Sequence, residues 1–172
     1  MVQLGDLHIG KAETAKPPAL DSGEAFFLWD QLISRYDIIE QTQIYLNFAH
    51  DPDFKYILKK GLEETLEKQV DDLEKEMNIF KLPLPNRPPK SVRVTANSGI
   101  MDDQMMFRQL FTGIQSFLES HIRTIRAITT NDPLRHKFIK FAKEELDIFE
   151  SLCKFGKLKG WLLIPPMKTM VQ

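Results

Sequence analysis

The stretch Asn131–Leu146, NDPLRHKFIKFAKEEL, has a counterpart earlier in the chain, His50–Thr65, HDPDFKYILKKGLEET. A shift of 81 residues superimposes the Asp-Pro pairs, the Glu-Glu pairs, and Lys59 with Lys140, without a gap. Asp is a favourable N-cap and Pro fits the first helical position, so both stretches read as a turn followed by a helix. The repeat predicts two similar helical hairpins, each with its turn at an Asp-Pro pair.

Apolar residues recur at helical spacing in four segments, and Trp29 in the first of them is predicted to lie in the core. The predicted inner stripe of the fourth helix is Leu134, Phe138, Phe141, Glu145, Ile148, Leu152 and Phe155. Ser22 is predicted to cap the first helix, while Gly156 and Gly160 are predicted to end the fourth. Four prolines from Pro83 to Pro89 stop the second helix. The predicted helices cover residues 22–49, 51–82, 100–131 and 133–156.

Residues 83–99 form the one long connection between predicted helices. At about 3.3 Å per extended residue, it can return along the length of a helix. The other two links are short and make antiparallel neighbours. We therefore predict an all-α, ferritin-like four-helix bundle with a long crossover between helices two and three.

The 172 residues are enough for a single domain with one hydrophobic core. Residues 1–21 are predicted to be an extended lead-in, and residues 157–172 an apolar tail that covers one end of the core. A net charge of -1 argues against nucleic-acid binding through phosphate neutralisation. Without a long apolar run, we expect no membrane span and no signal peptide, and so an intracellular protein.

The same repeat brings four polar residues together at predicted inner positions. Glu40 superimposes on His121, and Glu64 on Glu145. An isolated carboxylate in a core is costly, so Glu145 needs a cation, a metal or a shared proton as a partner. One interpretation is a metal site of Glu40, Glu64, His121 and Glu145 that binds Fe, Mn or Zn.

The alternative interpretation of these residues is a buried polar cluster. In that arrangement His121 or Lys68 neutralises one glutamate, and hydrogen bonds satisfy the remaining polar atoms. A third hypothesis is a small-molecule pocket between the hairpins, lined by Met105, Phe107, Phe111 and Phe141. A large enclosed apolar cavity would be its signature.

Three stretches carry a resemblance to a known family: LWDQLISRYD at 28–37, LPLPNRPP at 82–89, and above all FGKLKGWLLIPP at 155–166. From Leu20 to Pro166 the chain resembles the ferritin-like four-helix proteins. In more detail it is similar to an uncharacterised ferritin-like family of endospore-forming bacteria related to spore coat protein F. The resemblance implies a bundle fold, a spore-forming cell and a location in the cytoplasm or the spore coat.

Di-iron members of the ferritin-like class supply a Glu-x-x-His from each of two helices. Here Glu67 follows Glu64 by three residues, and Ile148 follows Glu145 by three, so neither signature is present. The absence of both signatures does not settle whether the chain is an enzyme, and the prediction we favour is a non-catalytic structural or interaction protein of the spore coat or the sporulating cell. A degenerate, redox-active metal site is the alternative. The expected partners are other spore coat proteins or a second copy of the chain.

Overall fold

Helices make up nearly all of the structure. The computed structural model describes residues 19–92 and 101–165, together with the backbone of residues 2–4 and 7–9. In the predicted lead-in, the short strands β1 (Val2–Leu4) and β2 (Leu7–Ile9) pair antiparallel. The all-α class is confirmed by the five α-helices within the described ranges, which are α1 (Ser22–Phe48), α2 (Pro52–Gly61), α3 (Glu67–Ile79), α4 (Asp103–Ala127) and α5 (Asp132–Lys159).

Helices α2 and α3 are continuous through a π-turn at Leu62–Leu66. A π-turn closes its hydrogen bonds five residues back instead of four, so it accommodates one extra residue in a helix. We call α2, the π-turn and α3 together the composite helix. It corresponds to predicted helix two and ends at the C-cap Phe80, followed by Lys81 at a φ of 55°. No helix in the described ranges is long and apolar enough to cross a bilayer.

The first end of the fold is organised by the buried carboxylate of Glu24. Asp21, and not Ser22 as predicted, caps α1: its side chain accepts from Glu24 N at 2.8 Å, and the Glu24 side chain accepts from Asp21 N at 3.3 Å. The same carboxylate accepts from Thr130 N at 3.1 Å, Thr130 Oγ1 at 2.9 Å and Asn131 N at 3.3 Å. Glu24 thus joins the start of α1 to the α4–α5 turn.

The opposite end is joined by charged side chains. Asp103, at the start of α4, accepts from His50 N at 2.9 Å and from Asp51 N at 2.7 Å. Lys159, at the end of α5, contacts Asp51 at 2.7 Å and Asp53 at 2.8 Å. The α1–α2 turn, the start of α4 and the end of α5 therefore lie together.

The connection after the composite helix runs back along α1. Gln43 Nε2 donates to the carbonyl of Lys90 at 3.1 Å, and Asn47 Nδ2 donates to the carbonyl of Val92 at 2.8 Å. The composite helix and α4 consequently run in the same direction, antiparallel to α1 and α5. The predicted return of this connection is confirmed as far as Val92; residues 93–100 lie outside the described ranges.

Two apolar clusters fill the interior. Trp29 was predicted to lie in the core, but it is 40 % exposed. Of the predicted stripe of α5, Leu134, Phe138, Phe141, Glu145 and Leu152 are buried, and Ile148 and Phe155 are half-buried. One cluster includes Leu28, Leu32, Tyr36, Leu73, Met77, Phe138 and Phe141, and the other includes Tyr45, Phe48, Phe54, Leu58, Met106, Phe107 and Leu152.

Helix α5 continues through Gly156, which was predicted to end it. Gly156 is buried against Phe107: a Cβ on this glycine would lie 2.5 Å from Cζ and 2.8 Å from Cε1 of that ring. The absent side chain therefore lets α5 approach α4 closely. Gly160 is the C-cap, at a left-handed φ of 69° that glycine adopts without strain.

Trp161 is the part of the predicted tail that covers the core. Trp161 packs against the rings of Phe54, Phe107 and Phe155, with centroid separations of 5.6–5.9 Å. Leu163 and Ile164 are instead 75 % and 65 % exposed. Residues 166–172 lie outside the described ranges.

Candidate functional site

A fully buried arginine lies between the helices. Arg35 on α1 donates from Nε to Gln69 Oε1 at 2.9 Å, and from Nη1 to Gln31 Oε1 at 2.9 Å and the Gln31 carbonyl at 3.1 Å. The rings of Phe117 and Phe141 have centroids 5.2 and 5.4 Å from the guanidinium carbon. Acceptors and aromatic faces together replace the water that a guanidinium loses on burial.

His121 accepts the next hydrogen bond of Arg35. The distance from Arg35 Nη2 to His121 Nε2 is 3.1 Å, and because a guanidinium only donates, Nε2 must accept. The imidazole is therefore neutral, with its proton on Nδ1, which has no hydrogen-bond partner within the described residues. Burial lowers the pKa of His121, Glu145 opposes this lowering, and the charge of Arg35 adds to it.

Two carboxylates complete the group. Gln69 Nε2 donates to Glu144 Oε2 at 2.9 Å, whereas Glu145 Oε2 lies 3.9 Å from His121 Nε2, too far for a hydrogen bond. Burial lowers the pKa of Arg35 to about 10, although Glu145 and Glu144 act in the opposite direction, so the arginine stays charged at neutral pH. We call this group the Arg35 cluster; it comprises Gln31, Arg35, Gln69, His121, Glu144 and Glu145.

Of the four predicted site residues, the structure brings only His121 and Glu145 together. Glu64 is exposed on the composite helix. Glu40 is half-buried and lines a surface depression with Asp37 and Gln109, between α1 and α4. The predicted convergence of all four side chains is therefore wrong for Glu40 and Glu64.

Glu64 points outward because the start of the composite helix and the start of α5 correspond at a shift of 80 residues, one less than the repeat suggests. The N-caps are Asp51 and Asn131, so Pro133 is the second residue of its helix, whereas Pro52 is the first of its own. One residue of register rotates a helical side chain by about 100°. Equivalent buried pairs at the shift of 80 are Phe54 with Leu134, Leu58 with Phe138, and Leu62 with Ala142.

Beyond the π-turn the shift falls to 79, because the composite helix holds one extra residue there. The buried pairs that follow are Leu73 with Leu152 and Met77 with Gly156. Glu64 lies inside the π-turn, and at neither shift is it the counterpart of Glu145. The corresponding position is Thr65 or Leu66.

The residue that sequence reasoning missed is Arg35. The buried polar cluster of the alternative interpretation agrees with the geometry. Its cation, however, is Arg35 and not the predicted His121 or Lys68, and Lys68 is exposed. A signal was available, since Arg35 follows the core residue Leu32 by three positions and precedes Ile39 by four. That spacing marks the inner seam of a bundle helix.

The donor set as placed does not fit a di-iron centre. Within the described residues, no group of three or more His, Cys, Asp or Glu side chains is positioned to share a metal ion. The Nε2 lone pair of His121, which would bind a metal, accepts from Arg35 at 3.1 Å. Metal binding by Glu40, Glu64, His121 and Glu145 stays a prediction that requires metal analysis.

The protonation of His121 gives a pH dependence that can be measured. Because its pKa is lowered in the folded state, the unfolded chain binds more protons below the ordinary value of 6.5. The contribution of His121 to stability is therefore present well above that pH and is lost as the pH falls through 6.5 and below it, by at most about 1.4 kcal/mol per pH unit for one proton. Urea unfolding at several pH values measures this slope.

The matched pair of variants for this slope is His121→Gln and His136→Gln. His136 is exposed, on the first turn of α5, so its replacement should leave the slope unchanged. His121→Gln should reduce it. An equal slope in wild type and His121→Gln would contradict the buried, neutral imidazole.

Comparison with solved structures supports the fold. A protein from Bacillus halodurans C-125, described as "a putative spore coat protein", superimposes with a TM-score of 0.81 at 20 % identity, over 89 % of this chain and 98 % of that one. A conserved hypothetical protein from Mycobacterium tuberculosis superimposes with a TM-score of 0.66 at 11 % identity, over 86 % and 98 % of the two chains. Both likenesses concern the fold alone.

No curated protein matches the sequence. A family described as "Protein of unknown function (DUF3231)" matches residues 10–170. The match spans nearly the whole chain and includes the Arg35 cluster, so the chain belongs to the DUF3231 family.

Proposed function

We propose that the chain is a non-catalytic, ferritin-like bundle that serves as a structural or interaction protein of sporulating cells, in the spore coat. The observation that carries this proposal is the position of Arg35. In ferritin-like enzymes, carboxylate and histidine side chains project into the bundle interior and bind the metal ions there. Here a guanidinium takes that interior position and uses its hydrogen bonds to hold α1, the composite helix and α4 together.

The direction of the helices supports the ferritin-like part of the proposal. A long connection along α1 makes the composite helix and α4 parallel, which is the arrangement of bundles with one crossover. The coat assignment draws on the sequence resemblance to coat protein F and on the description of the Bacillus halodurans protein. Binding to other coat proteins would use the outer surface, where Phe26, Trp29 and Ile122 are exposed.

The coat assignment is tested by following the protein through sporulation. A fluorescent fusion produced from the chain's own promoter is expected to be absent from growing cells and to form a shell around the forespore. A fusion that carries Arg123→Ala is the control. Arg123 is exposed on α4, so this substitution should leave the fold and the location of the fusion unchanged. Uniform fluorescence in vegetative cells would overturn the coat assignment.

The non-catalytic part is tested by metal analysis. Untagged protein is loaded anaerobically with Fe, Mn or Zn, desalted, and measured by mass spectrometry beside a His121→Ala/Glu145→Ala variant. We expect substoichiometric metal in both proteins. Stoichiometric metal that is lost in the double variant would favour the alternative, a metal-binding and redox-active bundle.

A further inference from the structure

A cavity of about 70 Å³ lies next to the Arg35 cluster. It lies between α1, the π-turn and its flanking residues, α4 and α5, and is partly open to solvent. Its body is apolar, with Ile57, Leu110, Ile114, Ile148 and Leu152 in the wall. A volume of about 150 Å³ holds benzene, so this cavity accommodates roughly three or four heavy atoms.

Two glycines keep the cavity open. Gly61 and Gly113 both line it, and a Cβ added at either position would meet no atom within 4 Å. The neighbouring π-turn widens the composite helix at the same level. The space thus results from specific residues in two facing helices.

Glu145 forms part of the cavity wall. It is 5 % exposed, and none of the side chains described donates a hydrogen bond to it. The hydrogen bonds of Arg35 go to Gln31, Gln69 and His121, and His121 Nε2 is occupied by accepting one of them. Because Glu145 lines the cavity and no described side chain donates to it, its carboxylate can accept a hydrogen bond from a ligand in the cavity.

The approach to the cavity is acidic. Gln41 and Gln109 line both the cavity and the surface depression between α1 and α4. Asp37 and Glu40 lie in that depression. A cation that approaches between α1 and α4 therefore meets two carboxylates before it reaches Glu145, whereas an anion would be repelled.

We propose that this cavity binds a short aliphatic primary ammonium ion, with its N–H groups on Glu145 and its alkyl chain against the apolar wall. An ammonium offers three donors and a positive charge, which the acidic approach and the unpaired carboxylate both favour. This site is independent of the structural role proposed above. For a ligand of four heavy atoms, a Kd on the order of millimolar is expected.

The test is a titration of the ¹⁵N-labelled protein with n-propylammonium chloride, at ionic strength held constant with NaCl. Saturable shifts of the Gly61 and Gly113 amide signals are expected. n-Propanol should bind more weakly by about tenfold, because its hydrogen bond to the carboxylate lacks the charge, and propionate should not bind. Equal shifts with all three compounds, or no saturable shift with the ammonium, would overturn the proposal.

Two variants distinguish the contribution of the Glu145 carboxylate to binding from the contribution of the cavity volume. Glu145→Gln is expected to weaken binding about tenfold or more, since a neutral amide replaces the charged acceptor. Gly113→Val fills the cavity and should abolish the shift at Gly61 while leaving Glu145 in place. Glu150→Gln, an exposed change on the same helix, is the matched control and should bind as wild type does.

The two variants also decide the outcome if one of them fails to fold. Dispersed amide spectra establish folding for each protein before titration. Unchanged binding by a folded Gly113→Val protein would place the ligand elsewhere and overturn the assignment to this cavity. Unchanged binding by a folded Glu145→Gln protein would overturn the role of the carboxylate.

Discussion

Arg35→Ala should destabilise the protein by about 3–5 kcal/mol, the usual cost of removing one partner from a buried charged group. The change leaves Gln69 Oε1, Gln31 Oε1 and His121 Nε2 without their donor. It also removes the positive charge nearest to buried Glu145 and leaves a void beneath Phe117 and Phe141. Urea unfolding followed by circular dichroism measures the loss.

Two further variants identify the cause of that loss. Arg35→Met keeps much of the volume without the charge and should cost less than Arg35→Ala, because apolar replacements of buried ionic groups are often tolerated. Arg123→Ala, on the exposed side of α4, should change stability by less than about 0.5 kcal/mol. Wild-type stability in Arg35→Ala would mean that the guanidinium does not support the core.

Gly156→Val is expected to cost about 3 kcal/mol, the upper part of the range for overpacked cores. A Cβ at this position already falls 2.5 Å from the Phe107 ring, and that ring is completely buried among Phe54, Phe155 and Trp161. The ring cannot move aside without disturbing its neighbours. Thermal and urea unfolding should both show the loss.

The comparison that isolates close packing is Gly156→Ala against Gly113→Ala. Both variants replace a helical glycine by alanine, and this replacement by itself stabilises a helix by about 1 kcal/mol. At Gly113 the new methyl group meets no atom within 4 Å, so the variant should gain stability, whereas at Gly156 the clash should outweigh the gain. A stabilised Gly156→Ala protein would contradict the close approach of α4 and α5.

The helices were predictable because their signals are local. Each signal acts within one or two helical turns. A helix begins at Asp51 and Pro52, the composite helix ends before Pro83, and the inner stripe of α5 lies on a helix. Trp29 was misassigned because helical spacing alone does not tell which of several apolar faces is covered. Only the packing of neighbouring helices decides that.

The site was less predictable, because it depends on register between helices. The Asp-Pro repeat suggested a shift of 81 residues, and the N-caps Asp51 and Asn131 set it at 80. The single residue of difference moved Glu64 out of the core. Arg35 was overlooked for a different reason: arginine is rarely fully buried, so its inner position was outweighed by its charge.

The connection that runs along α1 has a consequence for how the chain folds. Each hairpin, α1 with the composite helix and α4 with α5, is closed by a short turn, so most of its contacts join residues close in sequence. Proteins with such low contact order generally collapse within microseconds to milliseconds. The hydrogen bond of Arg35 to Gln69 lies within the first hairpin, whereas its hydrogen bond to His121 spans 86 residues and joins the two hairpins. We therefore expect the contact between Arg35 and His121 to form late in folding, when the two hairpins dock.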